Sequence, residues 1–245
     1  MESIQIYLNS INADKYNNGL TSDCSFILPQ MEIPDGYNIY ISVNNASIPY
    51  SFYNINNSNN KIILFNLVSL VSSNYTIPNG NYNINQLIVY LNQNLIGYSF
   101  NYNSINNKIT ITSNNDFQLL NSSTCLSLFG FNNNITYNSS SFSLTSLNCV
   151  DLYPISVIYI DSNLLTYNLN KNNVNNQSIL CAIPVYNQPY SIIQYHNYNN
   201  FRSNLFINSI SHIDIKLIDE YGESIDLNGL HFNLTIQLDI VQFVF

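Results

Sequence analysis

Apolar and polar residues alternate most regularly near the C-terminal end of the chain. The apolar positions of this stretch are Phe232, Leu234, Ile236, Leu238 and Ile240. The polar positions between them are Asn233, Thr235, Gln237 and Asp239. A period of two residues is that of a strand with one buried face. The pattern therefore predicts a long strand whose apolar side chains enter a core.

The same alternation, with turn residues between the runs, extends over most of the chain. Ile213, Ile215 and Leu217 alternate with polar residues, and segments 219–223 and 228–229 carry the Asp, Asn and Gly typical of turns. Further strand candidates are 4–8, 24–28, 37–48, 61–67, 152–160, 179–185 and 205–210. Many strands of this kind indicate an all-β protein, and we expect a single jelly-roll antiparallel sandwich.

One segment has a helical period instead. Its apolar residues are Ile84, Leu87, Ile88, Leu91 and Leu95. They form the i, i+3, i+4, i+7 stripe of an amphipathic helix. Asn83 and Gln86 have the spacing of a capping box, and Gly97 lies where a helix C-terminal glycine belongs. The pattern predicts a helix over about 84–96.

This helix is expected to belong to a small α+β unit inserted into the sandwich. The residues after it alternate as a hairpin, a short helix is expected at 125–129, and the Asn- and Ser-rich stretch 132–148 resembles a linker. We therefore predict three segments: 1–74 as the first part of the jelly roll, 75–148 as the inserted unit, and 149–245 as the second part.

Charged side chains are scarce. Only 8% of the 245 residues are charged, with 6 Lys or Arg and 14 Asp or Glu, where an ordinary domain has roughly 25%. A free cytoplasmic monomer normally depends on charge for its solubility, whereas a subunit enclosed by neighbours does not. The net charge of −8 and the scattered basic residues give no surface for neutralising phosphates, so binding of nucleic acid is not expected.

The sequence also has no recognisable targeting or membrane-spanning segment. Its first residues lack a basic region followed by an apolar one, so no signal peptide is expected. No apolar run approaches roughly 18 residues, so no membrane span is expected. Cys24, Cys125, Cys149 and Cys181 have no metal-binding spacing, and buried free thiols are favoured over two disulfides.

Catalytic and metal-binding patterns are missing from the sequence. The three histidines have no ligand spacing, no Ser-His-Asp arrangement is recognisable, and the glycines form no phosphate-binding loop. One acidic cluster consists of Asp219, Glu220, Glu223 and Asp226. Its carboxylates suit Ca²⁺, but their spacing does not match the EF-hand loop, so a solvated turn is favoured. We expect no cofactor, no metal and no enzymatic activity.

The Tyr-rich stretch 186–198 has two open interpretations. Tyr is common at interfaces, so the stretch is a candidate contact surface for a glycan or a protein. The alternative is a loop that packs over the sandwich.

Several segments resemble one family of viral proteins. They are the strand and turn at 41–56, the Ile-Pro-Asn-Gly segment at 77–82, the Leu-Phe-Gly-Phe segment at 128–131, and the runs 213–222 and 225–229. Together they resemble the minor capsid (penton) proteins of virophages, Polinton-like viruses and related large DNA viruses. The resemblance implies a jelly-roll capsid protein, often a homopentamer that closes icosahedral vertices beside a larger double-jelly-roll major capsid protein. It also implies a place in the virion after assembly in the host cytoplasm or a virus factory.

The sequence thus favours a penton over three other functions. A non-vertex minor capsid or cement protein has the same resemblance. A fibre or spike head that binds a host glycan or protein would use the exposed Tyr and Asn side chains. An enzyme has almost no support, because catalytic motifs are missing.

Overall fold

The regular secondary structure of the computed structural model is almost entirely antiparallel strand. The structure describes residues 2–34, 36–153, 155–164, 166, 178–205, 207 and 209–242. The strands, in chain order, are β1 (Glu2–Asn9), β2 (Lys15–Tyr16), β3 (Asp23–Glu32), β4 (Tyr37–Pro49), β5 (Lys61–Asn66), β6 (Ser72–Thr76), β7 (Tyr98–Asn103), β8 (Lys108–Ser113), β9 (Phe117–Leu119), β10 (Tyr137–Asn138), β11 (Ser143–Thr145), β12 (Val157–Ser162), β13 (Ile179–Pro184), β14 (Ile192–His196), β15 (Ser203–Leu205), β16 (Ser209–Ile218) and β17 (Asn233–Gln242). The helices of the described residues are a short 3-10 helix, Ser10–Asn12, and α1, Ile84–Asn94.

The chain forms two compact units. The first consists of Met1–Phe52 together with Ile155–Phe245, and the second is Tyr53–Pro154. The second unit is thus inserted in the sequence between β4 and β12.

The first unit is a jelly roll. Its strands pair as a long hairpin folded upon itself: β1 with β17, β3 with β16, β4 with β14 and β15, and β12 with β13. The resulting sheets have the orders β1-β17-β4-β14 and β13-β12-β16-β3-β2, with β15 also on β4. Nested antiparallel pairs divided between two sheets define this fold. The predicted fold class is confirmed.

The core of the first unit follows the alternation of β17. Phe232, Leu234, Ile236 and Leu238 are at most 2% exposed and belong to one apolar cluster drawn from both sheets. Ile240 is only half-buried, so the pattern weakens toward the end of the strand. Each alternate residue reaches the core because successive strand side chains point to opposite faces.

The second unit combines two small sheets with α1. The sheets have the orders β10-β9-β5-β6 and β11-β8-β7. Asn83 and Gln86 form the predicted capping box, with reciprocal bonds of 2.9 and 3.0 Å between side chains and backbone amides. Asn92 exchanges two hydrogen bonds with the backbone of Phe100, which fastens α1 to β7. The helix ends at Asn94, two residues before its predicted end.

The boundaries of this unit differ from the sequence-based segments. Segment 1–74 was expected to belong to the jelly roll, but β5 pairs with β6 and β9 inside the second unit. The unit begins at Tyr53 and ends at Pro154, whereas 75–148 was predicted. The misplacement arose because β5 alternates like a jelly-roll strand, and alternation does not reveal a strand's partner.

Two local predictions inside the second unit were wrong. Segment 125–129 does not form a helix and consists mostly of turns, and the two residues before it bond to β5. Ser123 Oγ accepts from the amide of Ile63, and Thr124 Oγ1 accepts from the amide of Lys61, both at 2.9 Å. The presumed linker 132–148 contains β10 and β11, which pair with β9 and β8.

Candidate functional site

The acidic turn after β16 uses its carboxylates to stabilise its own backbone. The carboxylates considered as Ca²⁺ ligands are Asp219, Glu220, Glu223 and Asp226. Asp219 Oδ1 accepts hydrogen bonds from the amides of Tyr221 and Glu223, at 2.8 and 2.9 Å. Asp226 Oδ1 accepts from the amide of Asn228 at 2.7 Å. These are the short-range bonds by which Asp side chains stabilise turns.

Glu220 is directed away from this turn, toward the start of β12. Its Oε1 accepts from the amides of Ser156 and Val157, at 2.7 and 3.1 Å, and from the Ser156 hydroxyl. In the described part of the chain, no three His, Cys, Asp or Glu side chains converge as a ligand set. The carboxylates of Asp219, Glu220 and Asp226 therefore stabilise the backbone of loops.

The cysteines are free thiols, but they are not all buried. Cys24, Cys125 and Cys181 are buried, as expected, whereas Cys149 is exposed, contrary to expectation. Burial, together with the nearby carboxylates of Asp23 and Asp214, raises the pKa of Cys24 to about 12. Burial also raises the pKa of Cys125 and Cys181. A thiol that stays protonated is a poor nucleophile, so these three are structural.

The histidines do not form a catalytic group. The ring of His196 contacts Asn45 Oδ1 at 2.6 Å, and the ring of His231 contacts Ser10 Oγ at 3.1 Å. His212 is exposed on β16. Each ring lies in a different part of the first unit.

The outer face of the first sheet carries a polar network around Asp239. This carboxylate is only 5% exposed although it points away from the core. Its Oδ1 accepts from Ser3 Oγ at 2.6 Å and from Gln237 Nε2 at 2.8 Å. Its Oδ2 lies 3.4 Å from Arg202 Nη1, and the guanidinium of Arg202 lies 4.5 Å from the centre of the Tyr40 ring. The single arginine of the chain is therefore held in place from two sides.

The surroundings of Asp239 keep it ionised. Burial raises the pKa of this carboxyl, but the hydrogen bonds from Ser3, Gln237 and Arg202 and the positive charge of Arg202 act in the opposite direction and prevail. Its pKa therefore lies below the ordinary value. Hydrogen bonds that favour the charged form have this effect.

The network continues into an open polar cleft of about 630 Å³. Gln237 Oε1 accepts from Asn44 Nδ2 at 2.7 Å, so the side chains are linked across two strands. The cleft is lined by Ser42, Asn44, Asn45, His196, Asn197, Tyr198, Asn200, Arg202, Gln237 and Asp239. Amides, a hydroxyl, an aromatic ring and one ion pair in a concave surface suit a polar ligand rather than an apolar one.

The Tyr-rich stretch contributes directly to this cleft. Tyr198 lines it and is 86% exposed, while Tyr186 and Tyr190 are exposed nearby in the sequence. Tyr190 is fixed through its backbone amide, which donates to the carbonyl of Tyr50 at 2.9 Å. The stretch therefore presents phenol rings to solvent from a fixed backbone, as a contact surface would.

The candidate contact surface predicted from the sequence included Tyr198 of the cleft but none of the polar side chains on its floor. Asn44, Arg202 and Asp239 lie on β4, before β15 and on β17, and only strand pairing brings them together. One local signal was available: Arg202 is the chain's lone arginine, and an arginine retained in a charge-poor chain is a candidate for a specific contact.

No helix among the described residues has the length and apolar character needed to cross a membrane.

Comparison with known proteins finds a likeness among solved structures. No family model matches the chain, and no curated protein matches it. Among solved structures it is similar to the selenomethionine-labelled mavirus penton protein, with a TM-score of 0.57 and 14% sequence identity. The match covers 98% of this chain and 100% of that protein. The likeness therefore concerns the fold of the whole chain, including the second unit.

Proposed function

We propose that this chain is a structural minor capsid protein of an icosahedral DNA virus, and that it is the penton that closes the five-fold vertices. The observation that carries this proposal is the full-length likeness in fold to the mavirus penton protein. Many unrelated proteins contain a jelly roll, so the roll alone is weak support. A second unit within the matched length makes the likeness more specific, since the match covers nearly all of both chains.

The distribution of charge supports a structural role. Of the residues in the second unit, only Lys61, Lys108, Asp116 and Asp151 are charged, so that unit is neutral and the first carries the whole net charge of −8. Neighbouring copies of such a unit do not repel one another. Polar Asn, Ser and Tyr side chains are then free to make the contacts between subunits. The role we propose is one of assembly, in the virion, with no catalysis.

The proposed oligomer is a ring of five identical chains beside a major capsid protein. Cyclic symmetry lets each chain bury the same pair of complementary patches. Native mass spectrometry of the purified chain, alone and with the major capsid protein of the same virus, tests this directly. The expected species has five times the chain mass of 28.0 kDa. A trimer would favour a non-vertex capsid or spike role, and a chain that stays monomeric with both proteins present would overturn the penton.

A second candidate function is recognition of a neutral glycan, and the polar cleft is the observation that favours it. Saccharides offer hydroxyl groups to amides and carboxylates and a less polar ring face to an aromatic side chain. Asn44 and Asp239 supply the first kind of group, and Tyr198 supplies the second. This function is compatible with a capsid role, because a vertex or spike head meets the host surface.

Saturation-transfer NMR with neutral oligosaccharides tests the cleft. Tyr198→Ala should abolish transfer, while Tyr186→Ala should preserve it. The two tyrosines are matched, at 86% and 89% exposure, but only Tyr198 lines the cleft. Equal loss of transfer in both variants, or no transfer from the wild-type chain to the oligosaccharide, would exclude this function.

A further inference from the structure

The second unit exposes a group of large apolar side chains at one end. They lie on three loops and are Leu67, Val68, Leu70, Val71, Ile96 and Phe142. Ile96 is 92% exposed, and Val68 and Leu70 are 69% and 70% exposed. Single exposed apolar residues are ordinary, but a cluster on adjoining loops marks an interaction site. We call this group the apolar end.

Hydrogen bonds through Ser113 and Asp116 show that the three loops adjoin. Leu67 donates from its amide to the carbonyl of Asp116 at 2.9 Å, and Phe142 donates to Asp116 Oδ1 at 3.1 Å. Ser113 joins two of these loops through hydrogen bonds. Its amide donates to the carbonyl of Phe142 at 3.0 Å, and its hydroxyl donates to the carbonyl of Gly97 at 2.9 Å. The loops are therefore fixed beside one another.

The hairpin loop between β5 and β6 holds its apolar residues outward in a defined conformation. Asn66 Oδ1 accepts from the amides of Val68 and Ser69, both at 2.9 Å. The carbonyl of Asn66 accepts from the amide of Leu70 at 3.0 Å. Leu70 has a φ of +56°, a conformation that L-residues with a side chain rarely adopt. The surrounding bonds thus maintain a strained turn that keeps Leu70 exposed.

Charge is concentrated away from the apolar end. Lys61 and Lys108 are the first residues of β5 and β8. Loop 67–71 follows the last residue of β5, and the loops of Ile96 and Phe142 bond to Ser113, the last residue of β8. A strand of this length spans about 20 Å. Asp116 is the one charged side chain bonded to these loops. It is half-buried, and its Oδ1 also accepts from Ser139 Oγ at 3.0 Å.

The chain enters and leaves the unit at the same distant end. Val150, shortly before the unit ends, donates to the carbonyl of Asn107 at 2.7 Å, beside the start of β8. Asn60, at the start of β5, accepts from the amide of Ile77 at 2.8 Å. Within the second unit, the apolar end therefore lies across the two sheets from its connections to the rest of the chain.

We propose that the apolar end docks on zwitterionic lipid bilayers by inserting these side chains into the interfacial region. Apolar side chains that enter the boundary between headgroups and acyl chains give reversible binding of this kind. Because this end has no Lys or Arg, we expect it to have no preference for anionic lipid. The net charge of −8 elsewhere disfavours an anionic surface.

A bilayer fits this end better than a protein partner. A stable protein interface uses roughly 20–30 residues on each side, and six side chains on three loops are far fewer. Shape complementarity would also require a partner whose surface matches three loop tips. A fluid bilayer imposes neither requirement.

Flotation of the full-length chain with phosphatidylcholine vesicles tests the proposal. The wild-type chain should float with the vesicles. A variant with Val68→Ser, Leu70→Asn and Val71→Ser should show at least a tenfold weaker partition. Asn tolerates a positive φ, so the turn itself should be preserved.

The matched control removes exposed apolar residues from the opposite end of the same unit. Ile105, in the turn between β7 and β8, is 94% exposed, and Leu147 is exposed beside Lys108. The double variant Ile105→Ser with Leu147→Ser should float like the wild type. If this double variant lost as much flotation as the Val68, Leu70 and Val71 variant, the proposal would be overturned.

Fluorescence locates the inserted residue, since the chain contains no Trp. Val68→Trp should give a blue-shifted emission on phosphatidylcholine vesicles, and Ile105→Trp should give none. Three results would overturn the proposal: no binding of the wild type, binding only to anionic vesicles, or self-association that the Val68, Leu70 and Val71 variant abolishes without any vesicle binding. The last result would identify the apolar end as a contact between copies.

Discussion

The side-chain amide of Asn54 donates a hydrogen bond of 3.2 Å to the carbonyl of Leu152, and so joins the two ends of the second unit. The same amide donates to the carbonyl of Tyr82 at 2.8 Å, while Asn54 Oδ1 accepts from the Tyr82 amide at 2.9 Å. Asn54 is buried, so losing these partners would leave polar atoms unsatisfied. The second unit therefore has a hydrogen bond between residues near its two ends as well as an apolar core of its own.

Residues 53–154 are expected to fold when expressed alone. Their apolar cluster includes Leu87, Phe117 and Phe129, each fully buried within the unit. Dispersed amide signals in a two-dimensional NMR spectrum and a cooperative thermal transition would support this. Asn54→Ala in the isolated unit should lower its stability by about 1–3 kcal/mol, because several buried hydrogen bonds are lost.

Deletion of the second unit, residues 53–154, should leave a folded jelly roll. Phe52 and Ile155 would be joined by a flexible Gly/Ser linker of about ten residues. Deleting only 75–148 should instead cause aggregation, since β5 would keep its buried Ile62 and Leu64 without their partners. Equal behaviour of the two deletions would contradict the boundary at Tyr53.

Gly130 should tolerate no side chain. It has a φ of +80°, and a Cβ placed there would lie 2.2 Å from the carbonyl oxygen of Asn148. Gly130→Ala should destabilise the protein by roughly 2 kcal/mol or more in urea unfolding, since both strain and a backbone clash oppose it. Gly97 is the matched control, because it also has a positive φ but no atom within 4 Å of a Cβ. Gly97→Ala should cost only about 1 kcal/mol.

Local patterns predicted the strands and the helix of this fold more successfully than they predicted which strands pair with one another. The alternation in β17 and the capping box of α1 depend on neighbouring residues, so the sequence displays them directly. The membership of β5 depends on its pairing with β9, which lies some fifty residues later. Nothing in the spacing of its apolar residues distinguishes a jelly-roll strand from a strand of the second unit.

The polar surfaces were harder to predict, for a related reason. Segment 132–148 is rich in Asn and Ser, and its short strands are held by pairing with β8 and β9 rather than by an apolar face. The cleft depends on Asn44, Arg202 and Asp239, which are separated by long stretches of chain. Hydrogen bonding across strands creates both features, and single-sequence periodicity does not record it.

Leu234 should be a major contributor to the stability of the jelly roll. It is 2% exposed in the core between the sheets. Leu234→Ala should cost roughly 2–5 kcal/mol, from lost burial and the cavity left behind. Leu230→Ala, at a half-exposed position in the preceding turn, should cost less than about 0.5 kcal/mol. If denaturant unfolding gave similar losses of unfolding free energy for the two variants, the register of β17 would be contradicted.

The chain should show no salt-dependent retention on immobilised DNA. Its six basic residues are dispersed and the net charge is −8, so few phosphates can be neutralised and few counterions released. A column elution profile measured at low and at physiological salt checks this. Retention at low salt that disappears as salt rises would contradict the expectation and require a basic surface formed by several chains.

Asp239 should make the jelly roll sensitive to acid. Its pKa in the folded protein lies below the ordinary value of 3.8, so the folded state favours the ionised form. The resulting stability is fully present above about pH 4 and is lost as the pH falls through the lowered pKa. Asp239→Asn should therefore be less stable than the wild type at neutral pH, by on the order of 1–3 kcal/mol. The difference should shrink as the pH falls below the ordinary value. Thermal melting of both proteins across this range measures the difference in stability.

Glu2→Gln, at an exposed position on β1, controls for the loss of one negative charge. A difference between wild type and Asp239→Asn that stays constant with pH, or grows in acid, would show that the network does not favour the ionised carboxylate.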